Sequence, residues 1–109
     1  MARPSAPADD FQARRMLGRL GENLLELRRL SGRSQVEVAI YADIHRTEVS
    51  MLERGGRMPG LDTVLKVAAG VDADPAALLD GLYWTLDPGR FQIPPRGHFS
   101  IDGKEVGRP

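Results

Sequence analysis

Residues 35–54 read QVEVAIYADIHRTEVSMLER, and the spacing of small and apolar side chains in this stretch decides the fold. From Ser34 to Ala42, Val36, Val38, Ala39 and Ile40 recur at spacings that predict one apolar face on a short helix opened by Ser34. Ala39 and Ala42 are small, as contact residues must be where two helices cross closely. Asp43 follows, a residue type that adopts left-handed backbone more readily than most non-glycine residues, and Ile44 is placed to plug the corner. A second short helix is expected from His45 to Glu53, with Val49 and Leu52 on its buried stripe. His45, Arg46, Thr47, Ser50 and Met51 are left facing outward, and Gly55 and Gly56 end the helix. Two short helices crossing at a tight turn make a helix-turn-helix.

Upstream, a helix is predicted to begin near Asp9 or Asp10, with Phe11, Leu17, Leu20, Leu24, Leu27 and Leu30 recurring every three or four residues. Gly18 and Gly21 each weaken a helix by about 1 kcal/mol relative to Ala, so the segment before Leu17 reads as a separate turn or arm. Residues 1–10, rich in Pro and Ala at their start, read as a disordered N-terminal arm.

The motif and its flanks resemble the Cro/repressor-type helix-turn-helix family, also called XRE. The resemblance rests on Leu24 to Leu30 with Arg28 and Arg29, Ser34-Gln35, Glu53-Arg54-Gly55, and Pro59 with Leu61, Val64, Leu65 and Ala68. It covers residues 17 to 82, and where many members carry Gly at the turn this chain has Asp43. What the resemblance implies is an all-α, five-helix bundle over residues 11–82, closed by a fifth short helix from Pro75 to Leu82. It also implies a transcriptional regulator that binds double-stranded DNA, a repressor acting as a homodimer on a pseudo-palindromic operator.

The outward face has the chemistry for that role. The first turn of the second motif helix would meet base edges in the major groove. Arg46 can donate two hydrogen bonds to a guanine edge, and Thr47 can touch a thymine methyl. Ser50 and Met51 lie one turn later, and His45 stands at the helix start. In the resembling family, positions matching Arg46, Thr47, Ser50 and Met51 vary to set the operator, and the position of Gln35 binds backbone phosphate. Ser34 beside it and Arg57 in the following loop are further phosphate candidates. Glu48 should point sideways, where it could pair with neighbouring arginines or repel phosphate. Glu53 and Arg54 read as helix-end and loop-bracing groups, and Tyr41 as a rim residue.

Residues 83–109 change character, being rich in Pro, Gly and aromatic residues. Arg90–Ile93 and His98–Ile101 are short β-prone runs around Pro94, Pro95, Arg96 and Gly97, the pattern of a candidate β-hairpin. A lone hairpin is marginal in water. Tyr83, Trp84, Phe91 and Phe99 could therefore cover the bundle of their own subunit or meet the same residues of a second one, and the family resemblance tilts toward a dimer. Gly103 to Pro109 reads as a tail.

Composition limits the alternatives. The chain has 109 residues, enough for one small core, and no cysteine, so neither disulfides nor thiolate metal sites hold it. The two histidines lack metal-ligand company, and no cofactor or metal is expected. No apolar run suits a membrane span and the N-terminus lacks a signal-peptide core, so a cytoplasmic, nucleoid-associated protein is expected. The formal net charge is zero, which argues against nucleic-acid binding, but the charge is polarised. Residues 1–30 carry six Arg against four acids, and residues 58–109 five basic residues against seven acids. Asp62, Asp72, Asp74 and Asp80 fall near expected helix starts, where acids serve as caps. An interaction module or antitoxin-like protein, with its extension on a protein partner, is the second reading. An enzyme is disfavoured, since no phosphate-binding glycine loop or Ser-His-acid spacing is present.

Overall fold

The computed structural model describes residues 10–89 and 96–107. Five helices come first: α1 (Asp10–Ser31), α2 (Gln35–Ala42), α3 (Arg46–Glu53), α4 (Leu61–Gly70) and α5 (Pro75–Leu78). Three strands follow, β1 (Leu82–Leu86), β2 (Gly97–Ile101) and β3 (Lys104–Glu105), forming one antiparallel sheet in the order β1-β2-β3. The arm expected at residues 1–10 lies, apart from the first residue of α1, outside the described residues, as do Phe91 and the Arg90–Ile93 run.

The motif forms for the reasons its residues suggested. Ser34 caps α2 in a capping box, its Oγ accepting from Glu37 N at 3.1 Å while Glu37 Oε1 accepts from Ser34 N at 3.0 Å. Asp43 ends α2 in the left-handed region at φ 54°, and Ile44 packs against the core at the corner. Val38, Ala39 and Ala42 of α2 join Val49 and Leu52 of α3, Val64, Val67 and Ala68 of α4, and Leu20 and Leu24 of α1 in a single core. Gly70 lets α4 close on α2, since a Cβ there would stand 2.9 Å from Val38 O.

Several expectations need correction. No break separates the segment before Leu17, because α1 runs unbroken from Asp10 and the rest of the core holds its glycines in helix. Gly21 in fact has a packing role: a Cβ there would lie 2.5 Å from Glu53 O, so its absence lets the end of α3 rest on α1. Val36 (50 % exposed) and Ile40 (70 %) do not share the buried face of α2, which turns Val38, Ala39 and Ala42 inward instead. Leu30 and Leu61 are likewise exposed. His45 is the N-cap of α3 rather than its first residue. Of the four aspartates, Asp74 caps α5 and Asp62 lies in the first turn of α4, whereas Asp72 turns the chain after α4 at φ 57° and Asp80 follows α5.

The C-terminal sheet also differs in detail. α5 stops at Leu78, and Leu82, expected to end it, begins β1. Among the described residues β2 pairs with β1, Leu82 opposite Ile101 and Trp84 opposite Phe99, so Leu82–Leu86 supplies a strand that the sequence reading did not assign. Residues 104–105 form β3 and Val106 is buried, so the described part of the expected tail, residues 103–107, belongs to the fold. Asp102 (φ 54°) and Gly103 (φ 81°) make the turn between β2 and β3. Arg19 of α1 clamps that turn, donating to both Asp102 oxygens at 2.6 and 2.9 Å, and Asn23 Nδ2 donates to the carbonyls of Leu78 and Asp80. The hydrogen bonds from Arg19 hold the Asp102 carboxyl below its ordinary pKa.

Candidate nucleic-acid interface

α3 is an eight-residue helix with its apolar side sunk in the core and its first turn in solvent. Val49 and Leu52 are buried, while His45, Arg46 and Thr47 are exposed and Ser50 and Met51 half-exposed. Arg46 is the first helical residue, so its long side chain projects from the helix start, where a docked groove would find it. Arg46 and Arg54 have no ion-pair partner among the described residues.

His45 fixes that start. Its Nδ1 accepts from Thr47 N at 3.0 Å, satisfying one of the amides a helix N-terminus leaves unpaired. In the neutral ring this places the proton on Nε2, which remains a donor toward any phosphate or base acceptor.

The N-terminus of α2 lies at the other end of α3, where Gln35 meets Glu53. Ser34 is exposed and its hydroxyl hydrogen is free to donate, although its oxygen is committed to the cap. The hydrogen bond from Ser34 N holds the Glu37 carboxyl below its ordinary pKa. Gln35 is engaged differently than a phosphate ligand would require: its Nε2 donates to Glu53 Oε1 at 2.9 Å. Its backbone N–H, at the first position of the helix, keeps the unpaired direction of a helix N-terminus.

Glu53 is the centre of a network that sequence reasoning missed. Arg28 Nε donates to Glu53 Oε2 at 2.5 Å and Nη2 to Oε1 at 3.1 Å, while Arg28 Nη1 reaches Arg33 O at 3.2 Å. The Glu53 side chain is 7 % exposed. This forked pair, with the burial it must offset, holds the Arg28 guanidinium above its ordinary pKa. One carboxylate thus ties the end of α1, the first residue of α2 and the last residue of α3, fixing the angle at which the two motif helices face outward.

Two arginines frame the edges. Arg57, after α3, donates from Nη1 to Glu48 Oε2 at 2.6 Å. Arg33 lies over the Tyr41 ring at 4.2 Å and donates to Gly70 O at 2.7 Å, closing the C-terminus of α4. Tyr41 itself is exposed, and Val36 and Ile40 line an open groove with Asp43, Ile44, His45 and Arg46. On the sheet, Trp84 meets Phe99 edge-on at 4.8 Å and covers Gly97, while Tyr83, Trp84 and Leu86 remain exposed. No helix of the described residues is long and apolar enough to cross a membrane.

The helix-turn-helix family model HTH_3 matches residues 24–78, half of the chain. The chain belongs to the HTH_3 helix-turn-helix family. This helix-turn-helix protein is 40 % identical over 50 residues to the control protein C.BamHI of Bacillus amyloliquefaciens, a match spanning 46 % of this chain and 62 % of that relative. It therefore spans less than two thirds of that relative's length. Among solved structures it is similar to the restriction-modification controller protein C.AhdI from Aeromonas hydrophila, at TM-score 0.55 and 37 % identity over 57 % of this chain and 94 % of the other. It is also similar to the hypothetical transcription factor NHTF from Neisseria, at TM-score 0.56 and 28 % identity over 72 % of this chain and 86 % of the other. The repressor-type bundle expected from the sequence is the fold of these relatives. The family match ends before β1, so the sheet of this helix-turn-helix protein lies outside it.

Proposed function

We propose that this protein is a transcriptional regulator that reads double-stranded DNA through α3, as a homodimeric repressor on a pseudo-palindromic operator. The observation that carries the reading is the capped, solvent-facing first turn of α3, with Arg46 and Thr47 side by side on a helix whose Val49 and Leu52 are buried in the core. Two of the relatives are named as control or controller proteins, and control of a restriction-modification system is the role this reading adopts. Arg46 and Thr47 contact bases from the first turn, with Ser50, Met51 and His45 at the rim of the footprint. Ser34, the amide of Gln35 and Arg57 serve the phosphates. No chemical step is assigned to the protein, and its place of work is the cytoplasm, at the nucleoid.

The dimer contact is assigned to the Trp84 side of the sheet, where Trp84 and Leu86 present apolar area beside Phe99, while Tyr83 is exposed on the opposite face. The same side is where a protein partner would dock in the antitoxin-like alternative. Competitive binding with Arg46→Ala and Arg57→Ala tests the base-reading assignment. Arg46→Ala should relax preference at one base position per half-site at a cost of about 1–3 kcal/mol, while Arg57→Ala weakens operator binding and flattens its salt slope without changing the preferred base at any position. An Arg46→Ala protein with the parent's ranking of sequences would remove Arg46 from the base-reading set.

A further inference from the structure

Of the three arginines carried by α3 and the loop after it, Arg46 and Arg54 have no ion-pair partner among the described residues, whereas Arg57 is held by Glu48 at 2.6 Å. The pair is built on fixed backbone. Glu48 sits in the first turn of α3, and Gly55 N and Gly56 N are bonded to Leu52 O and Met51 O, so the residue before Arg57 is anchored to the helix. Arg57 keeps 53 % of its side chain in solvent and Glu48 21 %, so the contact lies at the surface where a phosphate could replace the carboxylate. A carboxylate and a phosphate present the same oxygen-acceptor edge to a guanidinium.

We propose that Glu48 is a specificity-determining residue, whose carboxylate stands in for a backbone phosphate on Arg57 and keeps that arginine out of complexes with non-operator DNA. The inference rests on the DNA-reading function above. At an operator, base contacts by Arg46 and Thr47 seat the protein closely enough for Arg57 to exchange Glu48 for phosphate. On other duplexes nothing offsets the exchange, and Arg57 stays with Glu48.

The test is a salt series of binding to an operator duplex and to a scrambled duplex of equal composition, with the parent, Glu48→Gln, Arg57→Ala and the double variant. Glu48→Ala serves as a second carboxylate-free variant, and thermal melts establish that each is folded. Freeing Arg57 should tighten scrambled-duplex binding by about three- to tenfold per subunit, and steepen its log affinity against log salt slope by about 0.9 per subunit. The operator slope should stay as in the parent, since Arg57 already meets a phosphate there. In the Arg57→Ala background the loss of Glu48 should leave the slope unmoved. An unchanged scrambled slope in both carboxylate-free variants would overturn the proposal, as would equal tightening with and without Arg57, which marks simple repulsion between Glu48 and DNA. If the parent binds no duplex at all, the DNA-reading function falls as well; if it binds and only the slope fails to move, this inference falls alone.

Discussion

At the scale of single residues, the side chains divide into those that would touch DNA and those that aim them. Glu53 belongs to the second group, because its carboxylate is spent on Arg28 and Gln35 and scarcely meets solvent. Glu53→Gln removes the charge and leaves Arg28 half-paired in a mostly buried place, so we expect a loss of about 1.5–3 kcal/mol of stability in denaturant melts. Affinity should drop for every duplex while the ranking of sequences stays, since no reading side chain is changed. A variant with an altered ranking would put Glu53 among the reading residues. Ser34, Ala39, Asp43 and Ile44 were legible in the sequence because each acts through neighbours a few positions away, as cap, close contact, left-handed turn and plug. The Arg28–Glu53 pair spans 25 residues, and nothing in the spacing of either announces the other.

At the scale of elements, two glycines of α1 look alike in sequence and differ in the fold. A Cβ on Gly18 meets nothing within 4 Å, whereas one on Gly21 would stand 2.5 Å from Glu53 O and 2.7 Å from Leu52 O. Gly18→Ala should therefore raise stability by about 0.5–1 kcal/mol through helix propensity alone. Gly21→Ala should lower it by about 1–3 kcal/mol, because α3 must move away from α1. Thermal melts of the two variants check this, and equal effects would refute the close approach of α1 and α3. The sheet teaches a related lesson about reading elements. Tyr83, Trp84 and Thr85 carry a strand signal and Asp102-Gly103 a hairpin-turn signal. A helical reading of Pro75–Leu82 hides the first, and the shortness of the remaining chain hides the second, because a two-residue strand has too few side chains to show a period.

At the scale of the whole molecule, the sheet is joined to the bundle through the Arg19–Asp102 clamp as well as through Leu82 on the core. Since the folded Asp102 carboxyl is held below its ordinary value, its stabilising effect is fully present above the ordinary carboxylate range, about pH 4, and is lost as pH falls through the depressed value. The melting temperature of the parent should thus exceed that of Asp102→Asn at pH 7, and the gap should close on acidification. Asn accepts the left-handed backbone of this turn, and the Glu37 capping box titrates in both proteins, so the difference isolates the clamp. A gap that does not narrow at all as the pH is lowered would mean the carboxylate charge has no part in docking the sheet.

On the proposed function, these scales converge on one molecule whose bundle would aim α3 at a groove and whose sheet would offer an apolar side to a second copy. The most direct test is selection of bound duplexes from a randomised DNA pool at near-physiological salt. The expected result is enrichment of a two-fold-symmetric site with half-sites about one helical turn, or ~34 Å, apart. A pool that remains random after repeated rounds, with the protein folded, would contradict sequence reading by α3.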